Sequence, residues 1–419
     1  MNLKETITKY IKKTSFLFSI SSLFLSVSTT VSSLITIGLL LPHEIGLWNS
    51  FIIIQPYIFI LQLGVFNGLN REIPYQMGLG NYDKANQLAS TALWICKCLS
   101  IITAILLTIL FIVIYFYKNY PIENLICVLA VGILSINQFY DNYLTVTFRS
   151  NQSFRKLAQI NFINSIILLI SILLVYQYGF YGFIIRAIIT LLIQTSLTHI
   201  YRPMKIKAKF DFALAKELMK VGFPIFILGY LQGITNTFSR LILMSIATIT
   251  TVGLFAPALA IINLSKLIPG ILSQYLYPKM TYNWGLNHDK NELWKWSRNA
   301  IIFTFLISIP IIIIGWLLIP IIVENYYPNY TKSILAAKIS LLSISLSGIY
   351  IGLNSLNTIK AFKAVTTITI LKLITFLSFQ YLGGKLLIPL EGVAIGYFTA
   401  DLIVSLLSAY IIYYNLKRK

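Results

Sequence analysis

The segment N-R-E-I-P-Y-Q-M-G-L-G-N-Y-D-K-A-N-Q-L, residues 70–88, is a polar stretch between two long apolar ones. It contains two acids and two bases, in a chain that is 57% hydrophobic and only 11% charged. Apolar stretches recur on both sides of it, and each is long enough to cross a hydrocarbon core of about 30 Å as a helix. We therefore interpret residues 70–88 as a connection between two membrane-spanning helices.

The composition of the whole chain supports this interpretation. A chain of 419 residues with a mean hydropathy of +0.78 has too little polar surface for a water-soluble protein. We predict an all-α polytopic membrane protein with about twelve transmembrane helices. The predicted spans are 15–41, 46–69, 90–117, 122–146, 158–178, 180–200, 220–247, 250–277, 298–320, 331–356, 365–382 and 391–414.

The distribution of lysine and arginine predicts the orientation. Of the 33 such residues, 24 fall in the segments or at the span ends on one side, 3 on the other side, and 6 deeper within the spans. By the positive-inside rule, both termini are expected in the cytoplasm. The net charge of +20 then reflects topology and attraction to anionic membrane lipid, so no nucleic acid is expected as a partner.

The chain is predicted to consist of two related halves. We expect an N-terminal six-helix lobe at 1–200, a cytoplasmic linker at 201–219 and a C-terminal six-helix lobe at 220–419. G-L-W at 46–48 corresponds to G-L-F at 253–255. Repeats that are six spans apart have parallel topology, and two such bundles facing each other form a cleft that can open to either side. This architecture is typical of transporters.

Most ionisable side chains inside the predicted spans are cations. Placing one such side chain at the centre of a membrane costs about 2.5–3.5 kcal/mol, so each one indicates a structural or functional role. Six cations against two acids exceed what ion pairing requires, and the surplus suits an anionic passenger such as a phosphorylated lipid. The eight residues are Lys97, Asp141, Arg186, Arg240, Lys266, Lys338, Lys372 and Asp401.

Two polar stripes accompany the cations nearest the middle of the membrane. Gln232, Asn236 and Arg240 recur every four residues and share one helix face, and Asn263 and Lys266 form a second stripe. We expect these stripes to line an aqueous cleft, with polar contacts between packed helices as the alternative. The candidate substrate-binding residues are Arg240, Lys266, Arg186, Lys338, Asn236, Gln232 and Asn263.

The remaining charged residues allow two interpretations each. Arg186 and Lys338 lie in the outer third of their spans, where they could also extend to the interface. Lys97 and Lys372 lie in the inner third of their spans, where their side chains could likewise extend to the interface. Asp141 and Asp401 are candidates for ion coupling or for ion pairs, and a structural salt bridge is the favoured interpretation of Asp141.

The opening segment is also a candidate cytoplasmic gate. Asn70, Arg71, Glu72 and Pro74 would move with their bundle, and the alternative is a solvated connector without further function. Its glycines permit a turn, and D-K-A-N-Q-L at 83–88 can begin a short amphipathic helix along the membrane surface.

The residues around this segment resemble a known family. E-I-G-L-W-N-S-F (44–51) and L-G-V-F-N-G-L-N-R-E-I-P-Y-Q-M-G-L-G-N-Y-D-K-A (63–85) are similar to the Wzx-like oligosaccharide flippases, a polysaccharide-transport family of the MOP superfamily. V-G-F-P-I-F-I-L-G (221–229), V-G-L-F-A-P-A-L-A (252–260) and Y-L-Y-P-K-M (275–280) support the resemblance.

The resemblance implies two six-helix lobes around a cationic cavity. It also implies alternating-access translocation of a polyprenyl-diphosphate-linked oligosaccharide across the bacterial cytoplasmic (inner) membrane, for surface polysaccharide synthesis of the O-antigen or capsule type. One departure is that Ser239 precedes Arg240, where relatives often carry an acid. A polymerase of the same pathway is a further expected partner.

Other functions remain open at this point. One is another MOP-type exporter, for peptidoglycan precursor or drugs, although a drug-cation exporter should carry acids rather than lysines in its cavity. A membrane glycan polymerase or transferase would need carboxylates or histidines on a substantial outer loop. The outer loops here are short and no ATP-binding motif occurs. We expect no enzyme, no cofactor and no metal, and the three cysteines predict no metal site.

Overall fold

The computed structural model describes residues 3–116 and 121–417, and gives only the backbone for residues 3–16 and for several residues between 268 and 285. The described part is mostly helical and contains no strand, and its longest irregular segment is the connection at 201–211. Its helices are α1 (Leu3–Leu39), α2 (Pro42–Ile52), α3 (Ile54–Ile58), α4 (Val65–Gly78), α5 (Tyr82–Phe116), α6 (Ile122–Ser150), α7 (Phe154–Ile170), α8 (Ile172–Ile200), α9 (Phe212–Ile234), α10 (Phe238–Ile246), α11 (Ile249–Leu254), α12 (Ala256–Ser265), α13 (Leu267–Asn287), α14 (Lys290–Tyr326), α15 (Ile334–Leu342), α16 (Ile349–Thr358), α17 (Phe362–Leu386) and α18 (Pro389–Lys417).

Nine helical segments of the described residues are long and apolar enough to cross a membrane. They coincide with nine of the predicted spans, and the predicted fold class, an all-α polytopic membrane protein, is confirmed. The other three predicted spans coincide with α7 and the beginning of α8 as far as Gly179, with the pair α9 and α10, and with the series α11 to α13. Gly179 has non-helical backbone angles (φ 54°, ψ −130°) and divides α8 at the boundary that the sequence predicts between two spans. Each of these three regions is interrupted where the sequence predicts a single long helix.

The chain forms two compact units. Unit 1 comprises Met1–Ser32 and Phe51–Tyr230, and unit 2 comprises Ser33–Ser50 and Leu231–Lys419. The boundaries fall inside α1 and α9 rather than in loops. Each unit therefore contains part of a helix whose other part belongs to the other unit.

A close backbone approach fixes the packing of α2 against α11 within unit 2. A Cβ atom on Gly253 would lie 1.6 Å from the carbonyl oxygen of Pro42, and one on Gly46 would lie 1.9 Å from the carbonyl oxygen of Ile249. Only glycine allows two helix backbones to come this near. The two glycines are the residues that the sequence repeat places in corresponding positions.

The polar segment 70–88 is mostly helical. Helix α4 continues through N-R-E-I-P-Y to Gly78, and a tight turn with Gly80 at φ +80° leads into α5. The short surface helix expected at D-K-A-N-Q-L is wrong, because these residues are the first turns of α5, which runs unbroken for 35 residues. The sequence indicates that a helix begins at these residues, but it does not indicate that the same helix continues through the apolar segment that follows.

The linker between the predicted lobes is fastened to α5 within unit 1. The Ser90 hydroxyl donates to the carbonyl of Lys207 at 2.6 Å. The centre of the Phe210 ring lies 4.5 Å from the centre of the Trp94 ring. Lys84 Nζ lies 2.9 Å from a carboxylate oxygen of Glu217. These contacts hold the linker along the beginning of α5.

Candidate functional site

The first interruption in unit 2 separates α9 from α10. A 3₁₀ turn, Thr235–Thr237, replaces the α-helix there. The hydroxyls of Thr235 and Thr237 donate to carbonyl oxygens three residues earlier, both at 2.7 Å, and such bonds offer the backbone an alternative to helical pairing. Asn236 lies at the centre of the break.

The second interruption falls at Lys266, between α12 and α13. Pro269 has no N–H group, so the carbonyl of Ser265 cannot receive the usual helical bond from it. The Lys266 N–H instead bonds the carbonyl of Asn263, three residues earlier, at 3.2 Å. Lys266 therefore stands at a point where the helix is locally rewound.

The third interruption separates α15 from α16. Residues Ser343–Leu346 form a 3₁₀ turn, and the hydroxyls of Ser345 and Ser347 each donate to a carbonyl three residues earlier, at 2.7 Å. The serines of S-I-S-L-S thus act as the threonines do at the first break. Helix α16 begins directly after it and carries Tyr350.

The first two interruptions meet through a hydrogen bond. Lys266 Nζ donates to Asn236 Oδ1 at 2.7 Å. Arg240, one turn further along α10, donates from Nη1 to Asn49 Oδ1 at 3.4 Å. Lys266 also interacts electrostatically with Arg240, Lys372 and Asp401.

The acid among these residues is held from the third interruption. The Tyr350 hydroxyl donates to Asp401 Oδ1 at 2.6 Å, and Asp401 is only 3% exposed. Lys372 Nζ lies 4.6 Å from the centre of the Tyr350 ring, a distance at which a cation is attracted to an aromatic face. We call Arg240, Lys266, Lys372 and Asp401 the cationic cluster. Its three cations and one acid leave a net charge of +2.

The other predicted residues of unit 2 lie near the cluster or apart from it. Gln232 Nε2 donates to Thr369 Oγ1 on α17 at 3.2 Å, and Asn263 is exposed one turn before Lys266. Lys338 instead packs its ammonium 5.2 Å above the ring of Trp316 on α14. The structure thus brings Asn236, Arg240 and Lys266 together and gives Lys338 a different neighbour.

Arg186 belongs to unit 1 and is buried there. Its Nε donates to Ser171 Oγ at 3.0 Å, and its Nη2 donates to Ser32 Oγ and to the carbonyl of Leu168. These three partners are neutral oxygens on packed helices. The structure therefore places Arg186 in a hydrogen-bonded interior of unit 1.

The predicted gate residues all lie on α4 of unit 1. Asn70, Arg71 and Pro74 are exposed, whereas Glu72 is 8% exposed. They are part of a helix rather than of a loop.

The sequence interpretation missed three contributors to the site. Tyr350 and Asn49 had no charge to mark them, and Lys372 counted as one of the lysines that could reach the interface. The serine and threonine pattern at 235–237 and 343–347 is the signal that could have located the breaks and, with them, Tyr350.

The comparisons with known proteins agree with this architecture. The family model of the polysaccharide biosynthesis proteins matches residues 75–376. Comparison with curated protein sequences gives no match.

Solved structures with the same fold include several transporters. An inward-facing multidrug resistance MATE family transporter of the MOP superfamily has a TM-score of 0.71 at 16% identity, covering 95% of this chain and 96% of its own. The lipid II flippase MurJ, in an inward closed conformation, has a TM-score of 0.72 at 15% identity, covering 96% and 87%. A Vibrio cholerae MATE transporter has a TM-score of 0.58 at 17% identity, covering 99% of each chain.

At these identities the structural likeness concerns the fold alone, whereas the family model spans most of the chain. The chain is a multi-pass membrane protein with the fold of the MOP-superfamily transporters, and it belongs to the polysaccharide biosynthesis protein family.

Proposed function

We propose that the chain is a flippase for polyprenyl-diphosphate-linked oligosaccharides that build a surface polysaccharide. In this proposal it resides in the bacterial cytoplasmic membrane with both termini in the cytoplasm, and it delivers its product to a polymerase of the same pathway. The single observation that carries the proposal is the net positive cluster of unit 2, in which Lys266 stands at a helix interruption. The family match and the likeness to a lipid II flippase support it.

The cluster is suited to a diphosphate. Two opposite unit charges 4 Å apart attract by about 1 kcal/mol in bulk water and by about 4 kcal/mol at an effective dielectric constant of 20. An arginine can bind a phosphate through two N–H donors at once, and two lysines add point charges. The three cations therefore exceed the single carboxylate by two positive charges, and a bound diphosphate neutralises this excess positive charge.

Asp401 balances part of this charge when no substrate is bound. Its bond from Tyr350 fixes the carboxylate beside Lys372, which interacts with it electrostatically. A diphosphate would compete with the carboxylate for the same lysines. Interrupted helices are common where transporters bind their substrates, because a locally rewound segment can adjust while the flanking helices move as rigid bodies.

A second candidate substrate is the lipid-linked peptidoglycan precursor. A lipid II flippase is among the solved structures of the same fold, and that substrate also carries a diphosphate. The sugar portion distinguishes the two candidates. Export of drug cations is disfavoured by the same positive charge that favours phosphate.

The proposal is tested by reconstituting the full-length chain in proteoliposomes with a fluorescent polyprenyl-diphosphate glycan. Wild-type protein should move the probe between leaflets, and Arg240→Ala should reduce the rate at least tenfold while inserting normally. The matched control is Lys97→Ala, because Lys97 is a cation within a span that is exposed on unit 1. Equal rates for wild-type, Arg240→Ala and protein-free vesicles would contradict the proposal.

A further inference from the structure

Unit 2 contains a pocket of about 580 Å³ between α13 and α14, and no residue of the cationic cluster lines it. Its α14 wall follows one helix face, because side chains three or four residues apart lie above one another. The beginning of this face is polar and carries Glu292, Lys295, Trp296 and Asn299. One end of the pocket therefore offers an acid, a base and two groups that can form hydrogen bonds.

The other end of the pocket is apolar. Ala300 and Phe303 continue the same face of α14, and Leu272 and Leu276 of α13 complete the wall. Glu292 and Phe303 are eleven residues apart, which is about 16 Å along the helix axis. Beyond this point α14 exposes large apolar side chains, as a helix in contact with lipid does. A pocket with one polar and one apolar end fits an amphiphilic ligand.

The carboxylate of Glu292 is oriented by neutral donors. Asn283 Nδ2 donates to Oε1 and Asn287 Nδ2 donates to Oε2, both at 2.8 Å. Trp296 Nε1 also donates to Oε1, at 3.4 Å. An ionised carboxylate can accept about four hydrogen bonds, so Oε2 has room for one more donor. The negative charge is therefore held in position without being neutralised by these contacts.

The two charges of the pocket are not paired with each other. Lys295 follows Glu292 by three residues, yet among the side chains that the structure describes the only ion pair joins Lys84 to Glu217. Asp141, for which the sequence favours a salt bridge, likewise has no lysine or arginine nitrogen within 4.0 Å among these side chains. One acid and one base that stay apart give the pocket no net charge. A zwitterionic ligand matches both charges, whereas an anion or a cation would leave one of them uncompensated.

We propose that this pocket binds one phospholipid whose headgroup carries both a phosphate and a primary ammonium, of the phosphoethanolamine type. The ammonium donates to Glu292, Lys295 donates to the phosphate, and the acyl chain lies against Phe303 and Leu276. Tryptophan is enriched at the depth of lipid headgroups, and Trp296 stands beside the two charges. The ligand is a component of the membrane rather than the transported molecule, so the inference does not depend on the proposed flippase function.

The test is native mass spectrometry of the full-length protein released from nanodiscs with equal amounts of phosphatidylethanolamine, phosphatidylcholine and phosphatidylglycerol. Wild-type protein should retain one phosphatidylethanolamine per chain, at least fivefold more often than either other lipid. The reason is that a choline headgroup has no N–H group to donate to Glu292, and a glycerol headgroup has no positive charge. Glu292→Gln should reduce this preference to less than twofold.

The matched control is Asp83→Asn, which removes an exposed acid from the first turn of α5 in unit 1 and should leave the preference unchanged. The melting temperature of each variant reports whether it folds. If Glu292→Gln does not fold, Lys295→Gln replaces it, because the Lys295 side chain is exposed. That change should lower the fraction of chains with bound phosphatidylethanolamine at least threefold.

Three outcomes overturn the proposal. The first is a wild-type protein that retains no lipid or retains the three lipids equally. The second is a preference for phosphatidylethanolamine that survives the pocket substitution. The third is an equal loss of the preference in the pocket variant and in Asp83→Asn.

Discussion

Arg186 in unit 1 and Lys266 in unit 2 are both cations inside the apolar part of the chain, yet their surroundings differ. Arg186 donates to a serine on α1, to Ser171 and to a main-chain carbonyl. The Lys266 ammonium has one neutral partner, Asn236, and lies within electrostatic range of two further cations and of the acid Asp401. The first charge is satisfied by neutral oxygens of its own unit, whereas the second lies in a cluster whose net charge is positive.

The difference follows from the helices that carry them. Lys266 stands between two helices, and Asn236 and Tyr350 lie at or beside similar breaks. Arg186 lies within α8, among packed side chains. Lys266, at a helix interruption and beside two other cations, is therefore available to a ligand, whereas Arg186, hydrogen-bonded to neighbouring packed helices, serves the bundle. The predictions below test this contrast from the largest expected effect to the smallest.

Lys266→Met should have the largest effect on transport. It removes one of three like charges and leaves Lys372 beside Asp401, so the translocation rate should fall at least tenfold and the melting temperature should stay equal or rise. Proteoliposome transport and thermal unfolding of the same preparation measure the two quantities. A Lys266→Met protein that is less stable than wild type but transports at the wild-type rate per folded molecule would contradict a ligand-binding role for Lys266.

Arg186→Met should show the opposite pattern. Hydrogen bonds to a charged group contribute about 1.5–3 kcal/mol, so the free energy of unfolding should fall by about 2 kcal/mol. Transport per folded molecule should remain within twofold of wild type. The same two assays apply, and a stable protein with abolished transport would place Arg186 among the substrate-binding residues.

Tyr350→Phe should have an intermediate effect. The ring that faces Lys372 is kept, and only the hydroxyl that donates to Asp401 is lost. Losing one such bond costs about 1–2 kcal/mol, and the freed carboxylate can compete more strongly with a diphosphate for the lysines. We expect a three- to tenfold weaker apparent affinity for the lipid-linked glycan, measured by titration. An unchanged affinity would exclude Tyr350 from the site.

Lys84→Gln should have the smallest effect. Its ion pair with Glu217 joins two side chains that are 39% and 32% exposed, and exposed pairs contribute about 0–1 kcal/mol. Thermal unfolding at low and high salt should differ from wild type by no more than about 0.5 kcal/mol. A larger loss would mean that the linker depends on this pair rather than on its contacts with Ser90 and Trp94.

The sequence predicts the membrane architecture well, because hydropathy over eighteen or more residues reflects the free energy of placing a helix in lipid. It also places Asn236 and Arg240 on one face of a helix near the middle of the membrane. It does not reveal that this helix is broken at 235–237, because hydropathy averaging passes over three polar residues in an apolar run.

The environment of each cation is a tertiary property. Depth along a span ranks Lys266 as central and Arg186 as peripheral, but it cannot identify Ser32 and Ser171, which come from other helices, as the partners of Arg186. Lys372 is the reverse case, since its depth predicts contact with the interface while packing places it against Tyr350. Unit boundaries inside α1 and α9 are likewise invisible to a count of spans.

The central claim is that the cationic cluster binds the diphosphate of a lipid-linked glycan. The most direct measurement is the affinity of purified protein for a short-chain polyprenyl diphosphate, compared among wild type, Lys266→Glu and Lys97→Glu. The account predicts at least a hundredfold loss for Lys266→Glu and an affinity within threefold of wild type for Lys97→Glu. Equal affinities for wild type and Lys266→Glu would contradict it.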